Sequence, residues 1–297
     1  MKIISVLYRH EYNFLFYRFA LERAGKFCPT DSTKKVTRGI DEYLKKHDDA
    51  ALVVWGKSGA GKTYLMSKVV SDAIEGAAAA DTQQGEKSQG VVVVRFLGTS
   101  PASSNVRNLL ESLCRQLSRA YDKTIESFPN QFKELVKMFT EAILQWPSEE
   151  RPLILVLDSV DQLDDSNGGR KLEWLPVQGL GKSTKLVIST LPDYPKEFQC
   201  KSLLEKKLGD QSGERMLGVE TISDHDKVFK HLLALQGRRA TQTQMEAVSK
   251  AFTERSTEDA AGTPLWLTIV AQVLDLCHLP PQYVQMPPRS RYTQMRV

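Results

Sequence analysis

Two hydrophobic patterns alternate along the chain. Four short runs are mainly apolar: Ala51–Trp55, Val91–Phe96, Pro152–Asp158 and Lys185–Thr190. Runs of that length without polar alternation predict parallel strands buried on both faces. Between them apolar residues recur every three to four positions, which predicts amphipathic helices. Lys62–Glu75 turns Leu65, Met66, Val69 and Val70 inward. Val106–Tyr121 aligns Leu109, Leu110, Leu113 and Leu117, and Gln131–Gln145 aligns Leu135, Val136, Phe139 and Ile143. Upstream, Tyr12–Ala24 is aromatic-rich and helical, and Val36–Lys46 is a short helix with Ile40, Tyr43 and Leu44 on one side.

Buried strands alternating with helices predict an α/β fold with a doubly wound parallel sheet. The polar, low-complexity stretch Gly76–Gly90 is expected to be an exposed loop, and Met216–Val219 a last edge strand. The pattern then becomes wholly helical: Lys227–Gln236, Thr243–Glu254 and Pro264–Cys277. The expected organisation is a helical lead-in over 1–48, the sheet domain over 49–220, a small C-terminal helical domain over 221–279 and a disordered Pro-rich tail over 280–297. No internal repeat is present.

Composition narrows the class. The 297 residues are 41% hydrophobic and 26% charged, ordinary for a soluble globular protein. A net charge of +4 without a concentrated Lys/Arg stripe argues against nucleic acid as a partner. No stretch approaches the roughly 20 apolar residues of a membrane span, so no membrane partner is expected. The four cysteines, Cys28, Cys114, Cys200 and Cys277, have no metal-binding spacing and read as thiols in a reducing cytoplasm.

The chemistry concentrates at "GKSGAGKT", Gly56–Thr63, which fits the phosphate-loop pattern without departure. Gly56, Gly59 and Gly61 let the backbone turn tightly. The N–H groups from Gly56 through Lys57, Ser58, Gly59, Ala60 and Gly61 to Lys62, Thr63 and Tyr64 can then face phosphate oxygens. Lys62 reaches the β and γ phosphates, and the Thr63 hydroxyl can ligate Mg²⁺. A buried strand enters the loop and an amphipathic helix leaves it, as phosphate binding at a helix N-terminus requires. The sheet is therefore expected to be that of a P-loop NTPase.

Such a loop needs a metal-holding carboxylate on a neighbouring strand. "LILVLDSVDQLD" supplies Asp158 at the C-terminal edge of the third strand, where ligands of open α/β sheets bind. The plainer role for Asp158 is a helix cap. Asp161 either polarises an attacking water or is a cap or surface acid. "KLVIST" brings Ser189 and Thr190 to the same edge. Thr190 is assigned the sensor of the γ phosphate or water, against a plain strand-end hydroxyl. Gly98, Thr99 and Ser100 are equally well explained as turn residues. Ser159, not Glu, follows Asp158, so slow turnover is expected.

Together, "GKSGAGKT", "VVVVRFLGTSPASSNVRNLLESLCRQL", "LILVLDSVDQLD", "KLVISTLPD" and "GTPLWL" resemble the NACHT branch of the STAND signal-transduction ATPases. Within that branch the chain is most similar to the NACHT and WD-repeat-containing proteins, from roughly Phe19 to Leu279. The resemblance implies an ATP/ADP switch with Mg²⁺, acting through self-association or a signalling partner. It also implies that Pro264, in the G-x-P motif, lies against the nucleotide in a closed state. Without it, Thr263-Pro264 reads as the cap and first residue of a helix.

The chain departs from the family pattern at three points, the first being Ser159 in place of the usual Gly after Asp158. Gln162 stands where NACHT proteins usually carry a carboxylate, and Leu191 where the sensor strand often carries Arg. The alternative is therefore a non-hydrolysing, ADP-bound scaffold or oligomerisation module. A small-molecule kinase lacks an Arg-rich lid here, and a DNA-processing ATPase has only the fold in its favour.

Overall fold

The structure, a computed structural model, describes residues 11–46, 49–83, 90–193, 199–220, 222, 224–255 and 263–276. The chain divides into two compact units, Met1–Glu220 and Thr221–Val297.

The first unit is built on five parallel strands: β1 (Leu52–Trp55), β2 (Val91–Phe96), β3 (Leu153–Asp158), β4 (Thr184–Thr190) and β5 (Met216–Gly218). Their order is β2-β3-β4-β1-β5. From β1 the chain jumps to the far edge, returns inward through β3 and β4, and places β5 on the other side of β1. This winding brings the C-terminal ends of β1, β4 and β3 side by side, the usual ligand edge of such sheets. One expectation needs correction: β3 is not a neighbour of β1, because β4 lies between them.

Helices cover both faces. On one lie α1 (Glu11–Ala24), α2 (Asp31–Lys45) and α3 (Lys62–Gln83). Ile40, Tyr43, Leu65, Met66 and Val70 pack there against Leu52, Val54, Val94, Val156 and Val187. On the other lie α4 (Val106–Ala120), α5 (Phe132–Gln145) and α6 (Cys200–Leu208). Leu110, Leu113, Phe139, Ile143 and Leu204 pack there against Val53, Val93, Leu155, Leu157 and Ile188. Alternate strand residues thus serve opposite cores, which is why the strands read as continuous apolar runs.

Two helix boundaries and one whole helix differ most from expectation. The helix after the loop continues to Gln83, so 76–83 is helical rather than looped. Ala77–Ala80 are the strongest helix formers, and one interior glycine costs only about 1 kcal/mol. Residues 84–89 of the expected loop lie outside the described residues. The second helix starts at Asp31, not Val36, because Thr30 and Thr33 form a reciprocal capping box. Helix α6 was not expected: only Cys200, Leu204 and Leu208 mark its buried stripe.

Strand β2 is an edge, and α1 covers it. The Tyr17 hydroxyl donates to the Val92 carbonyl and accepts from Gln116 Nε2 at 3.1 Å. Buried Arg95 donates to the Val94 carbonyl at 2.8 Å and to Gln116 Oε1 at 2.7 Å. Its guanidinium lies 4.6 Å from the Phe16 ring centre, and burial pushes its pKa down to about 10. The Phe19 and Phe96 rings meet at 4.5 Å. Backbone carbonyls that an open edge would leave exposed are thereby satisfied.

The second unit contains α7 (His225–Ala234), α8 (Gln242–Arg255) and α9 (Pro264–Leu276). Phe229, Val248, Phe252, Trp266 and Leu267 are buried, and His225 stacks on Phe252 at 4.5 Å. The expected disordered tail, 280–297, lies outside the described residues. Among the described residues no helix is long and apolar enough to cross a membrane.

The Tyr17 bonds yield a direct expectation. Tyr17→Phe removes a donor to Val92 and an acceptor for Gln116, both buried. Chemical denaturation should show a loss of about 1–2 kcal/mol.

Candidate functional site

The loop Gly56–Thr63 leaves β1 and enters the first turn of α3. Gly59 and Gly61 hold φ of 76° and 93°, a backbone region that side chains disfavour. A Cβ on Gly56 would sit 3.0 Å from the Val219 carbonyl oxygen. All three motif glycines therefore have a local steric reason. Lys62 is buried and folded back on the loop, donating to the Gly56 carbonyl at 2.7 Å and the Lys57 carbonyl at 3.1 Å. Burial holds its pKa below the usual lysine value, while the nearby Asp161 and Asp158 carboxylates oppose that shift.

Asp158 ends β3 and is fully enclosed. Its Oδ2 accepts from Thr63 Oγ1 at 2.7 Å, and its Oδ1 accepts from Ser189 Oγ. Burial raises the carboxyl above its ordinary range, with the Ser189 and Thr63 hydrogen bonds and the Lys62 charge opposing. The loop and third strand therefore meet at one side chain, across the intervening β4. Ser159 follows in the left-handed region at φ 64° and donates its N–H to Ser189 Oγ at 2.8 Å.

Asp161 lies in a 3₁₀ turn, Val160–Gln162, and is buried rather than a surface acid. Its Oδ1 accepts from the Leu191 N–H at 2.9 Å and its Oδ2 from Gln162 Nε2 at 2.6 Å. Oδ1 thus bridges the end of β3 to the backbone after β4, and Oδ2 is held by the neighbouring Gln162. Gln162 in turn packs on Gly98, where an added Cβ would approach to 2.5 Å.

The buried Thr190 hydroxyl points elsewhere, to the Leu191 carbonyl at 3.4 Å. Ser189, its neighbour, is the β4 hydroxyl that reaches Asp158. Sequence reasoning had both hydroxyls at this edge but no means of choosing the face. Pro264 stands in the second unit at the first position of α9, where Thr263 Oγ1 caps the Trp266 N–H at 3.3 Å. That agrees with the cap-and-proline pattern. Thr99 and Ser100 serve the turn after β2, Ser100 capping the short helix Pro101–Ser104.

The residues fit a hard divalent cation. Two buried carboxylates, Asp158 and Asp161, lie within electrostatic reach of the Lys62 ammonium. The donors at hand, Thr63 Oγ1 and Asp158, are oxygens. Among the described residues no group of three or more His, Cys, Asp or Glu could hold a metal alone. The two oxygen donors, Thr63 Oγ1 and Asp158, suit Mg²⁺, which takes one or two protein ligands and completes its shell with phosphates and water.

Similarity to known proteins agrees with this geometry. The family model for the N-terminal part of nephrocystin 3 matches residues 37–190, from α2 to the end of β4. The chain belongs to the nephrocystin 3 N-terminal family. Within the family's span and beyond it, the chain is 36% identical over 207 residues to mouse NACHT and WD repeat domain-containing protein 2, covering 68% of this chain and 11% of that one. It is 36% identical over 141 residues to human NACHT domain- and WD repeat-containing protein 1, covering 44% and 8%. The chain thus spans about a tenth of the length of these curated relatives. Among solved structures, Cdc6p from Pyrobaculum aerophilum superposes with a TM-score of 0.52 at 14% identity, over 84% of this chain and 63% of that one. That likeness shows the P-loop α/β fold. Family, fold and loop together make the first unit a nucleotide-binding P-loop module of NACHT type.

The Asp161 bridge has a measurable cost. Asp161→Ala leaves the Leu191 N–H and the Gln162 amide without their acceptor. Unfolding should be easier by about 1–3 kcal/mol, read by urea denaturation.

Proposed function

We propose that the chain is an ATP/ADP-binding signal-transduction module, a nucleotide-dependent conformational switch that hydrolyses Mg-ATP slowly. The observation that carries this is the Lys62–Thr63–Asp158 constellation at the C-terminal edge of the sheet. Loop N–H groups from Gly56 to Tyr64 would cradle the phosphates. Lys62 would exchange the Gly56 and Lys57 carbonyls for phosphate oxygens. Thr63 and Asp158 would hold Mg²⁺, which neutralises charge on the phosphates when bound.

Slow turnover is supported by the state of the acids at this edge. Asp158 and Asp161 each have both oxygens hydrogen-bonded, and Gln162 carries no charge to take a proton. The nucleotide role that the resemblance gives Pro264 belongs to the same proposal. So do a cytoplasmic setting and a protein partner or second copy as the receiver of the signal.

The same Gln162 and engaged Asp161 favour a second reading, a scaffold that keeps nucleotide without hydrolysing it. Turnover above background that disappears in Asp158→Ala would exclude the scaffold.

The nucleotide site itself is tested by Lys62→Ala. Loss of a charge-assisted contact of about 1.5–3 kcal/mol should weaken Mg-ATP binding by roughly 10- to 150-fold in calorimetry. Unchanged affinity would refute the assignment.

A further inference from the structure

We infer that Ser189 is the positioning residue for the metal-holding carboxylate, acting on Asp158 rather than on the nucleotide. This rests on the proposed Mg-nucleotide site and adds how that site is kept in register. Strand β4 lies between the loop strand and β3, so a β4 side chain at this edge has both within reach. Ser189 pairs with Val54 of β1, and its neighbour Ile188 pairs with Leu157 of β3. Its side chain therefore sits beside Asp158, and it is fully buried.

The direction of each hydrogen bond follows from chemistry. The Ser159 N–H can only donate, so Ser189 Oγ is its acceptor. A serine hydroxyl has one proton, and Asp158 Oδ1 is within its reach. That proton is thus committed to Asp158 and is not free for a phosphate oxygen. With Oδ2 held by Thr63, the carboxylate is fixed on both sides. The left-handed turn at Ser159 is what aims its N–H back toward β4. Thr190 cannot share this task, since its hydroxyl lies on the Leu191 carbonyl.

Mg²⁺ demands near-ideal octahedral geometry, so a carboxylate free to rotate is a poorer ligand. Loss of the hydroxyl should therefore weaken the metal's contribution while sparing direct contacts between loop and phosphate. Partners that orient metal ligands typically contribute 10- to 100-fold in metal affinity.

The test compares the affinity of the full chain for a non-hydrolysable ATP analogue in excess Mg²⁺ and in EDTA. Ser189→Ala, and the near-isosteric Ser189→Cys with its weak donor, should each lose about tenfold of the Mg²⁺-dependent gain. Affinity in EDTA should change less than about twofold, which also reports that the variants are folded. An intact Mg²⁺ gain in both variants would overturn the inference. So would equal losses in both conditions, or a selective loss in Thr190→Val with none at Ser189. A wild-type chain that binds the analogue with no Mg²⁺ gain would overturn the metal reading as well.

Discussion

The site depends on one carboxylate held between two hydroxyls. Asp158 is buried, and burial works against its charge. Hydrogen bonds from Thr63 and Ser189, with Lys62 nearby, are what make a charged group tolerable there. Thr63, Asp158 and Ser189 together link α3, β3 and β4. The arrangement that stabilises the acid also aligns the loop with the sheet.

The surrounding structure keeps that alignment. β4 can lie between β1 and β3 only because the chain first crosses to the far edge and then returns. β2, stranded at that edge, is sealed by α1 through Tyr17, Arg95 and Phe19. Its last residue, Phe96, pairs with Asp158, and the following Leu97 N–H donates to the Asp158 carbonyl at 3.0 Å. Beyond it, Gly98 leaves room for Gln162, which holds Asp161. Edge cover and site are thus continuous through one short strand.

Much of this was legible in the sequence for physical reasons. A strand buried on both faces must be apolar throughout, so β1 to β4 were placed within about one residue. The phosphate loop announces itself because its glycines are sterically required. What was not legible depends on long-range pairing. Nothing local says that β4 inserts between β1 and β3, or that Tyr17 meets Val92, 75 positions away. Neighbouring strand residues face opposite sides, so one of Ser189 and Thr190 had to point away from Asp158. Only the register decides which. The stretch after Glu75 reads as a loop because it is polar and of low complexity, whereas the helix propensity of its alanines prevails.

In the proposed switch, adenine nucleotide bound at this edge is the control element. The most direct measurement is the identity and amount of nucleotide that co-purifies with the chain, by chromatography and mass spectrometry after denaturation. The account predicts near-stoichiometric ADP, the product of slow turnover retained in a resting state. Intact ATP at the same stoichiometry would contradict the switch and favour the scaffold, and guanine nucleotide would contradict the adenine assignment.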